Sequence, residues 1–541
     1  MNNAIFNFAA PVNEPIFKYL KGSPEREALE KELKKQMSEE IEIPLIIGGK
    51  EVRTGNLGKV VMPSNHKHVL ATYHKAGEKE INMAIEAALE AREKWESMSW
   101  VERASIMAKA AELISTKYRY VMNASTMLGQ NKNVFQAEID AVCEVTDFLR
   151  YNNHFLSNII GVQPQSMSDQ INRIEYRGLE GFVLTVTPFN FTAIGSNLNA
   201  SVAVMGNVTV WKPATTSLLS NYYFMKILME AGIPAGVINF IPGQGSLIGK
   251  ICVNHPSLAG IHFTGSTDTF NSLWKGVGEN IHKYKTYPKL VGETGGKDFI
   301  FAHKSANVRA LAVSIVAGAY EYQGQKCSAA SRAYIPKSLW EDVKKEVLAM
   351  LSEIKVGCTT DFNNFVNAVI DEASFDNIMS YIERAKAAPD AEIIAGGKGD
   401  KSVGYFVEPT LILTSNPNFL TMEEEIFGPV MTCYLYDDEK FYETLEICNN
   451  TSPYGLTGAV HSQDRYAFVE ACRILRHAAG NFYLNDKPSG AQVGLQPFGG
   501  ARKSGTNDKA GSHLNLLRWV SPRLIKETLV FKTQFKYGYM E

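Results

Sequence analysis

A chain of 541 residues exceeds what one hydrophobic core usually holds, and 45% hydrophobic with 21% charged residues is ordinary soluble composition for two or three domains. With 55 basic against 57 acidic side chains the net charge is -2, which favours neither nucleic acid nor an anionic membrane and leaves a small-molecule partner as the expectation. The opening MNNAIFNFAAPVNEP has no basic, then apolar, leader, and no stretch reaches the roughly 20 apolar residues of a membrane span. Seven cysteines (Cys143, Cys252, Cys327, Cys358, Cys433, Cys448, Cys472) are scattered and never spaced C-x-x-C, which argues against a disulfide framework and a zinc site. Free thiols in a reducing compartment, the cytoplasm, are expected, with no metal.

In chain order, residues 78 to about 128 carry the three-and-four apolar spacing of helices in INMAIEAALEAREKW and RASIMAKAAELISTKY. Short β-rich runs follow: GFVLTVTPF (181–189), NVTVWKP (207–213), GVINFIPG (236–243) and GIHFTGS (260–266), with helical segments such as LLSNYYFMKILMEAG between them. Strands returning every 25 residues or so predict βαβ units and a doubly wound parallel sheet, whose ligands bind beyond the carboxyl ends of the strands. A second α/β alternation begins near 298 with DFIFAH, SRAYIPK, AEIIAGG, TLILTS and VMTCYLY. The glycine-rich GLQPFGGARKSG (494–505) reads as a loop near a site or interface.

Single motifs weigh little. GQGSLIG (243–249) follows a predicted strand but is not G-x-G-x-x-G. Cys327 lies in EYQGQKCSAASR, where Gly324 admits close backbone approach and the small residues after the cysteine leave its sulfur open, as a thiolate nucleophile requires. Asn190, just past a strand in TPFNF, has an amide able to donate to a developing oxyanion. Glu293, between glycines in GETGGKD, is a candidate base. A cysteine hydrolase would want a histidine base, and none of the 11 histidines falls in a motif beside Cys327 or Glu293. A structural protein would not be expected to keep the cysteine, asparagine and glutamate together.

The ordered set TPFNF, WKPA, FTGST, ETGGK, GQKC, EEIFGP and PFGG, spread over nearly the whole chain, resembles the aldehyde dehydrogenase superfamily. AEID (137–140), GAQVGLQPFGGARKSGTNDKAG (490–511) and RWVSPRLIKET (518–528) resemble one branch of it, the 1-pyrroline-5-carboxylate dehydrogenases, which oxidise glutamate γ-semialdehyde to glutamate in proline catabolism. The resemblance implies an α/β fold with a Rossmann-type NAD-binding domain (1–160 and 181–293), a second α/β catalytic domain (294–490) and a small oligomerisation or bridging element (161–180 and 506–541). It also implies a dimer or larger homo-oligomer with strand exchange near the C terminus. Its roles make Cys327 the nucleophile, Asn190 the oxyanion donor and Glu293 the general base. Lys212, Gly265, Ser266, Glu425 and Phe427 would bind NAD. Ser328, Gly490 and Ala491 would hold the substrate carboxylate, Phe191 and Phe498 would flank its methylenes, and Glu138 would face its ammonium. The resemblance implies NAD as the preferred cofactor, and because no acidic residue follows Lys212 in PATT to repel a 2′-phosphate, appreciable NADP use is expected as well. A different acid semialdehyde is the alternative substrate.

Overall fold

Five strands, Phe182–Val186, Thr209–Lys212, Ile238–Phe240, Leu258–Thr264 and Lys289–Glu293, run parallel in the spatial order fifth, fourth, first, second, third. The computed structural model describes residues 6, 8 and 10–541, so the first residues of the segment expected to lack a leader, and the start of the expected 1–160 unit, lie outside the described residues. These strands are buried almost throughout, because helices cover both faces of a parallel sheet, and their sequences are accordingly apolar runs rather than alternations. The helices Thr192–Val204, Leu218–Ala231, Gly245–Asn254 and Thr267–Glu279 supply the crossovers. Within the core, Trp211 sets its ring against Phe240 at 5.0 Å and donates its indole N–H to the Thr187 hydroxyl at 2.9 Å. Burying a side chain such as Phe240 stabilises the sheet by about 1.5–3 kcal/mol.

All four strands expected between 181 and 266 are present. A hairpin not anticipated, Leu45–Ile47 with Lys50–Val52, extends the sheet beyond Ile238–Phe240. Its two-residue turn is Gly48–Gly49, at φ 57° and 73°, the left-handed backbone such a tight connection demands.

The chain leaves the first sheet after Glu293 and enters a second within four residues. That sheet has seven strands in the order Ala391–Ala395, Thr410–Thr414, Val430–Tyr436, Ala330–Pro336, Asp298–Ala302, Thr457–His461, Asn481–Leu484, all parallel except the first pair. Five were expected. Thr457–His461 was missed because Gly458 interrupts it: the Phe299 ring occupies the place of a side chain there, with Cζ 2.1 Å from where a Cβ would stand. A two-stranded ribbon, Gln170–Arg177 paired antiparallel with Ser521–Thr528, stands largely exposed beside these layers.

The expected helices appear as Glu78–Ser97, Trp100–Ser115 and Arg119–Gln130. Ser99 and Glu102 start the second of them by bonding each other's backbone N–H at 3.3 and 3.1 Å. A longer rod follows: Val134–Ala137, a π-helical turn over Glu138–Glu144, and Val145–Gly161. The N-terminal residues 10–19 lie along this rod as an irregular strap and are pinned to it by Glu138. The buried Glu138 carboxylate accepts from the Arg119 guanidinium, from the Tyr19 hydroxyl at 2.7 Å, from the Asn123 amide at 2.6 Å and from the Phe17 N–H at 3.0 Å. Arg119 in turn lies over the Phe17 ring, 3.6 Å from its centre. Removing one member of a buried ion pair leaves the other charge stranded, so Glu138→Gln should destabilise the protein by about 3 kcal/mol. A lower urea midpoint is the expected reading, and an unchanged midpoint would contradict this role.

Candidate functional site

Cys327 is presented by an unusual turn. The helix Val308–Tyr320 stops, and Tyr322, Gln323 and Gly324 then take left-handed conformations in succession, at φ 50°, 56° and 67°. Such conformations cost L-residues roughly 1–2 kcal/mol each, so the surroundings must hold them. The Tyr322 hydroxyl donates to the Gln130 carbonyl at 3.0 Å, and the Gln323 amide donates to the Asn131 and Ala368 carbonyls at 3.0 and 2.9 Å. At Gly324 a Cβ would stand 2.1 Å from the Gly428 carbonyl oxygen, so no other residue fits. The turn delivers Cys327, 8% exposed, just before the strand Ala330–Pro336.

Asn190 reaches the same place from the first sheet. It lies just beyond Phe182–Val186 and donates one amide hydrogen to the Gln325 carbonyl at 3.2 Å, which leaves the second for another acceptor. Lys132 braces both segments. Its buried ammonium pairs with Asp140 at 2.8 Å and sits 3.8 Å from the centre of the Phe191 ring and 4.5 Å from that of Tyr322. Asp140 also accepts from the N–H groups of Thr192 and Ala193 at 3.0 and 2.8 Å, capping the helix that follows Asn190.

A cavity of about 400 Å³ opens beside Cys327. Of the expected residues it gathers Cys327, Ser328, Glu293, Phe191, Phe498, Gly490 and Ala491. Glu138 is not in its wall, being committed to Arg119 and the strap. Two carboxylates of the rod do line the cavity: Asp147, which accepts from the Asn13 amide and the Glu14 N–H, and Glu144, six residues beyond Glu138 at the end of the π turn; a seven-residue π segment re-aims the following side chains, and nothing in AEIDAVCE announces it. Ser489, also unanticipated, lines the cavity with a buried hydroxyl that has no partner within the protein. Around these, the Glu321 carboxylate bridges Lys326 at 2.9 Å and Lys487 at 2.6 Å, two cations to one anion in the wall.

Burial dominates the electrostatics. It pushes the Cys327 thiol well up, with the charges of Glu293, Asp298 and Glu425 adding to it and the Ser328 N–H opposing. The Glu293 carboxyl is pushed up to about 8 by burial against the pull of Lys509, and one of its oxygens has no hydrogen-bond partner. Glu144 is likewise pushed up to about 8, by burial and then by Asp140. Among the described residues one histidine, His262, reaches the cavity wall. Burial drives it down to about 3, its Nδ1 bonds the Leu198 carbonyl at 3.0 Å and its ring lies on Trp519, which is no arrangement for a base.

The remaining expected residues lie at or near the carboxyl ends of the first sheet's strands, outside the lining of that cavity. Lys212 pairs in register with Val186, and its side chain lies 3.6 Å from where a Cβ of Gly245 would stand, at the start of the helix Gly245–Asn254. Gly265 and Ser266 follow Leu258–Thr264, with Ser266 capping Thr267–Glu279. Glu425 accepts the Gly296 N–H at 2.9 Å, and burial pushes its carboxyl up to about 7 against that bond and Lys297. Phe427 holds a left-handed φ of 60° with its ring edge-on to Phe189 at 5.8 Å. Helix N-termini, a cation and a carboxylate at adjacent strand ends have the donor and acceptor set a dinucleotide needs.

Comparison with known proteins agrees with this geometry. The chain is 53% identical over 537 residues, 99% of its length and 96% of the relative's, to the mitochondrial delta-1-pyrroline-5-carboxylate dehydrogenase of Dictyostelium discoideum. It is 48% identical over 530 residues, 98% and 94% of the two chains, to the mitochondrial human protein of that name. The fold superposes with a TM-score of 0.96, at 47% identity and covering 100% of both chains, on the crystal structure of the Delta-pyrroline-5-carboxylate dehydrogenase from Mycobacterium tuberculosis bound with NAD. Residues 52–521 match the family described as Aldehyde dehydrogenase family, and with the thiol, amide and carboxylate gathered as described, the chain belongs to that family.

Proposed function

We propose that the chain is an NAD-dependent dehydrogenase that oxidises L-glutamate γ-semialdehyde, the open form of 1-pyrroline-5-carboxylate, to L-glutamate in proline catabolism. The observation that carries this is the cavity wall: beside the nucleophile stands the Lys326–Glu321–Lys487 cluster, locally two cations to one anion, and apart from it, among the other carboxylates of the wall, Glu144 bonds no cation of the described residues, so both signs that a zwitterion requires are present. Ser328, Ser489 and the N–H groups of Gly490 and Ala491 bind the α-carboxylate, Glu144 faces the ammonium, and Phe191 and Phe498 cover the methylenes. The residues at or near the carboxyl ends of the first sheet's strands fit NAD: Lys212 with the helix start at Gly245 and Gly265–Ser266 suit the adenosine ribose and the pyrophosphate, and Glu425 and Phe427 suit the nicotinamide end.

The chemistry follows from the site. Cys327, once deprotonated, attacks the aldehyde carbon, and the carbonyl electrons move to oxygen. The free amide hydrogen of Asn190 and the Cys327 N–H donate to that oxyanion. NAD, when bound, accepts the hydride from this carbon. The carbonyl re-forms as a thioester on Cys327, Glu293 takes a proton from water as the water attacks, and the carbon–sulfur bond breaks to release glutamate.

We keep the division into a cofactor unit (1–160 and 181–293), a catalytic unit (294–490) and an oligomerisation element (161–180 and 506–541); the two sheets and the exposed ribbon support it. Exposed Ile171 and Leu524 on that ribbon support a homodimer. The seven unpaired thiols support a reducing compartment, the cytoplasm in our reading, although the Dictyostelium and human relatives are named mitochondrial. No helix among the described residues is long and apolar enough to cross a membrane.

Following NAD reduction with glutamate semialdehyde, succinic semialdehyde and propanal tests the substrate. Glutamate semialdehyde should be preferred at least tenfold in kcat/KM, and Ser328→Ala should raise its KM roughly 5- to 100-fold by leaving a buried anion short of a donor. Equal kcat/KM for the three would overturn the assignment. A second test is pH: because the Glu293 carboxyl lies at about 8, the base form grows as pH rises, and steady-state turnover should climb through pH 8. Glu293→Gln should lose roughly 100-fold or more and the pH limb with it. A wild-type profile flat from about pH 7 to 9 would remove Glu293 from the rate-limiting step.

A further inference from the structure

The loop that carries Gly490 and Ala491 has little regular structure to hold it, yet its N–H groups must stand in fixed places if they are to bind a carboxylate. Gly490 itself is at φ 94°, a left-handed conformation. The loop touches the helical rod at Gly494, where a Cβ would stand 2.1 Å from the edge of the Tyr151 ring, so the backbone lies directly on that ring. Its second attachment comes from the other end of the sequence.

Asn13, in the N-terminal strap, donates one amide hydrogen to the Asp147 carboxylate at 2.8 Å and the other to the Val493 carbonyl at 2.8 Å. Its own oxygen accepts from the Tyr151 hydroxyl at 3.3 Å. The amide is therefore fully used, and its orientation is set by chemistry: a carboxylate and a carbonyl both require a donor. Val493 is two residues beyond Ala491. The strap cannot drift, because the Glu14 N–H donates to Asp147 at 2.8 Å, the Glu14 carboxylate pairs with Arg119 at 2.8 Å and Arg150 at 2.7 Å, and Arg119 also bonds the Pro15 carbonyl at 2.7 Å. Asn13, Asp147 and Val493 all border the cavity that holds Cys327.

We propose that Asn13 is a positioning residue for substrate selection: it clasps the Gly490–Phe498 loop to the rod through Asp147 and Val493 and so sets where the carboxylate-binding N–H groups stand. This rests on the substrate reading above. It makes a segment distant in sequence from every catalytic motif part of the specificity of the site. A plain aldehyde, which asks nothing of those N–H groups, is indifferent to the clasp.

The test is the full-length enzyme with Asn13→Ala and, to keep side-chain size, Asn13→Asp, whose carboxylate would face two acceptors. KM and kcat are measured with NAD for glutamate semialdehyde and for propanal. Both variants should raise KM for glutamate semialdehyde roughly tenfold, Asn13→Asp at least as much as Asn13→Ala, with kcat and the propanal constants within about twofold of wild type. An equal change for both aldehydes, or a fall in propanal kcat in both variants, makes Asn13 a folding residue and overturns the clasp. Unchanged selectivity in both variants overturns it too. A wild-type enzyme that does not prefer glutamate semialdehyde overturns the substrate reading itself, a result distinct from the others because it appears before any substitution.

Discussion

Much of the site depends on one buried ion pair, Lys132 with Asp140, neither of which is exposed. Isolated charges of this kind are expensive to bury, and the cost is offset only because every partner is supplied: two backbone N–H groups for the carboxylate and two aromatic faces for the ammonium. Those partners belong to the two segments that must meet for chemistry. Thr192 and Phe191 follow Asn190, and Tyr322 opens the left-handed turn before Cys327. The oxyanion donor from one sheet and the nucleophile from the other thus share a single support.

The same low-dielectric setting that makes the pair rigid tunes the reacting groups. Burial raises both the Cys327 thiol and the Glu293 carboxyl, the latter to about 8, so both favour their neutral forms until substrate or a rise in pH changes the balance. Where buried charge is kept in the wall it is paired, as in Glu321 between Lys326 and Lys487. Unpaired capacity remains in one oxygen of Glu293 and the hydroxyl of Ser489, both residues of the cavity wall, and in the second amide hydrogen of Asn190.

Much of this was legible in the sequence. Parallel strands declare themselves through runs such as FVLTV, and residues at strand ends such as Asn190, Lys212 and Ser266 follow directly from them. Cys327 and Glu293 stood out because small or glycine neighbours flank them. What was hidden depends on tertiary contact. The strand Thr457–His461 carries a glycine whose space is filled by Phe299, and the Gly48–Gly49 hairpin, though signalled by its turn, joins a sheet whose other strands begin more than 130 residues later. Glu138 and Glu144 are both acidic residues on one helical stretch, and only the π turn between them decides that the second faces the cavity while the first holds Arg119. Asn13 has no local signal at all, since its partners lie 134 and 480 residues away.

The central claim is that oxidation passes through a thioester on Cys327 with the glutamate skeleton attached. Glu293→Gln enzyme, mixed with NAD and glutamate semialdehyde and quenched after the first turnover, should carry a γ-glutamyl group on the peptide containing Cys327 when mapped by mass spectrometry, in an amount matching the NADH formed. NADH formed with no acyl group on Cys327, or with the group on another cysteine, would contradict the account.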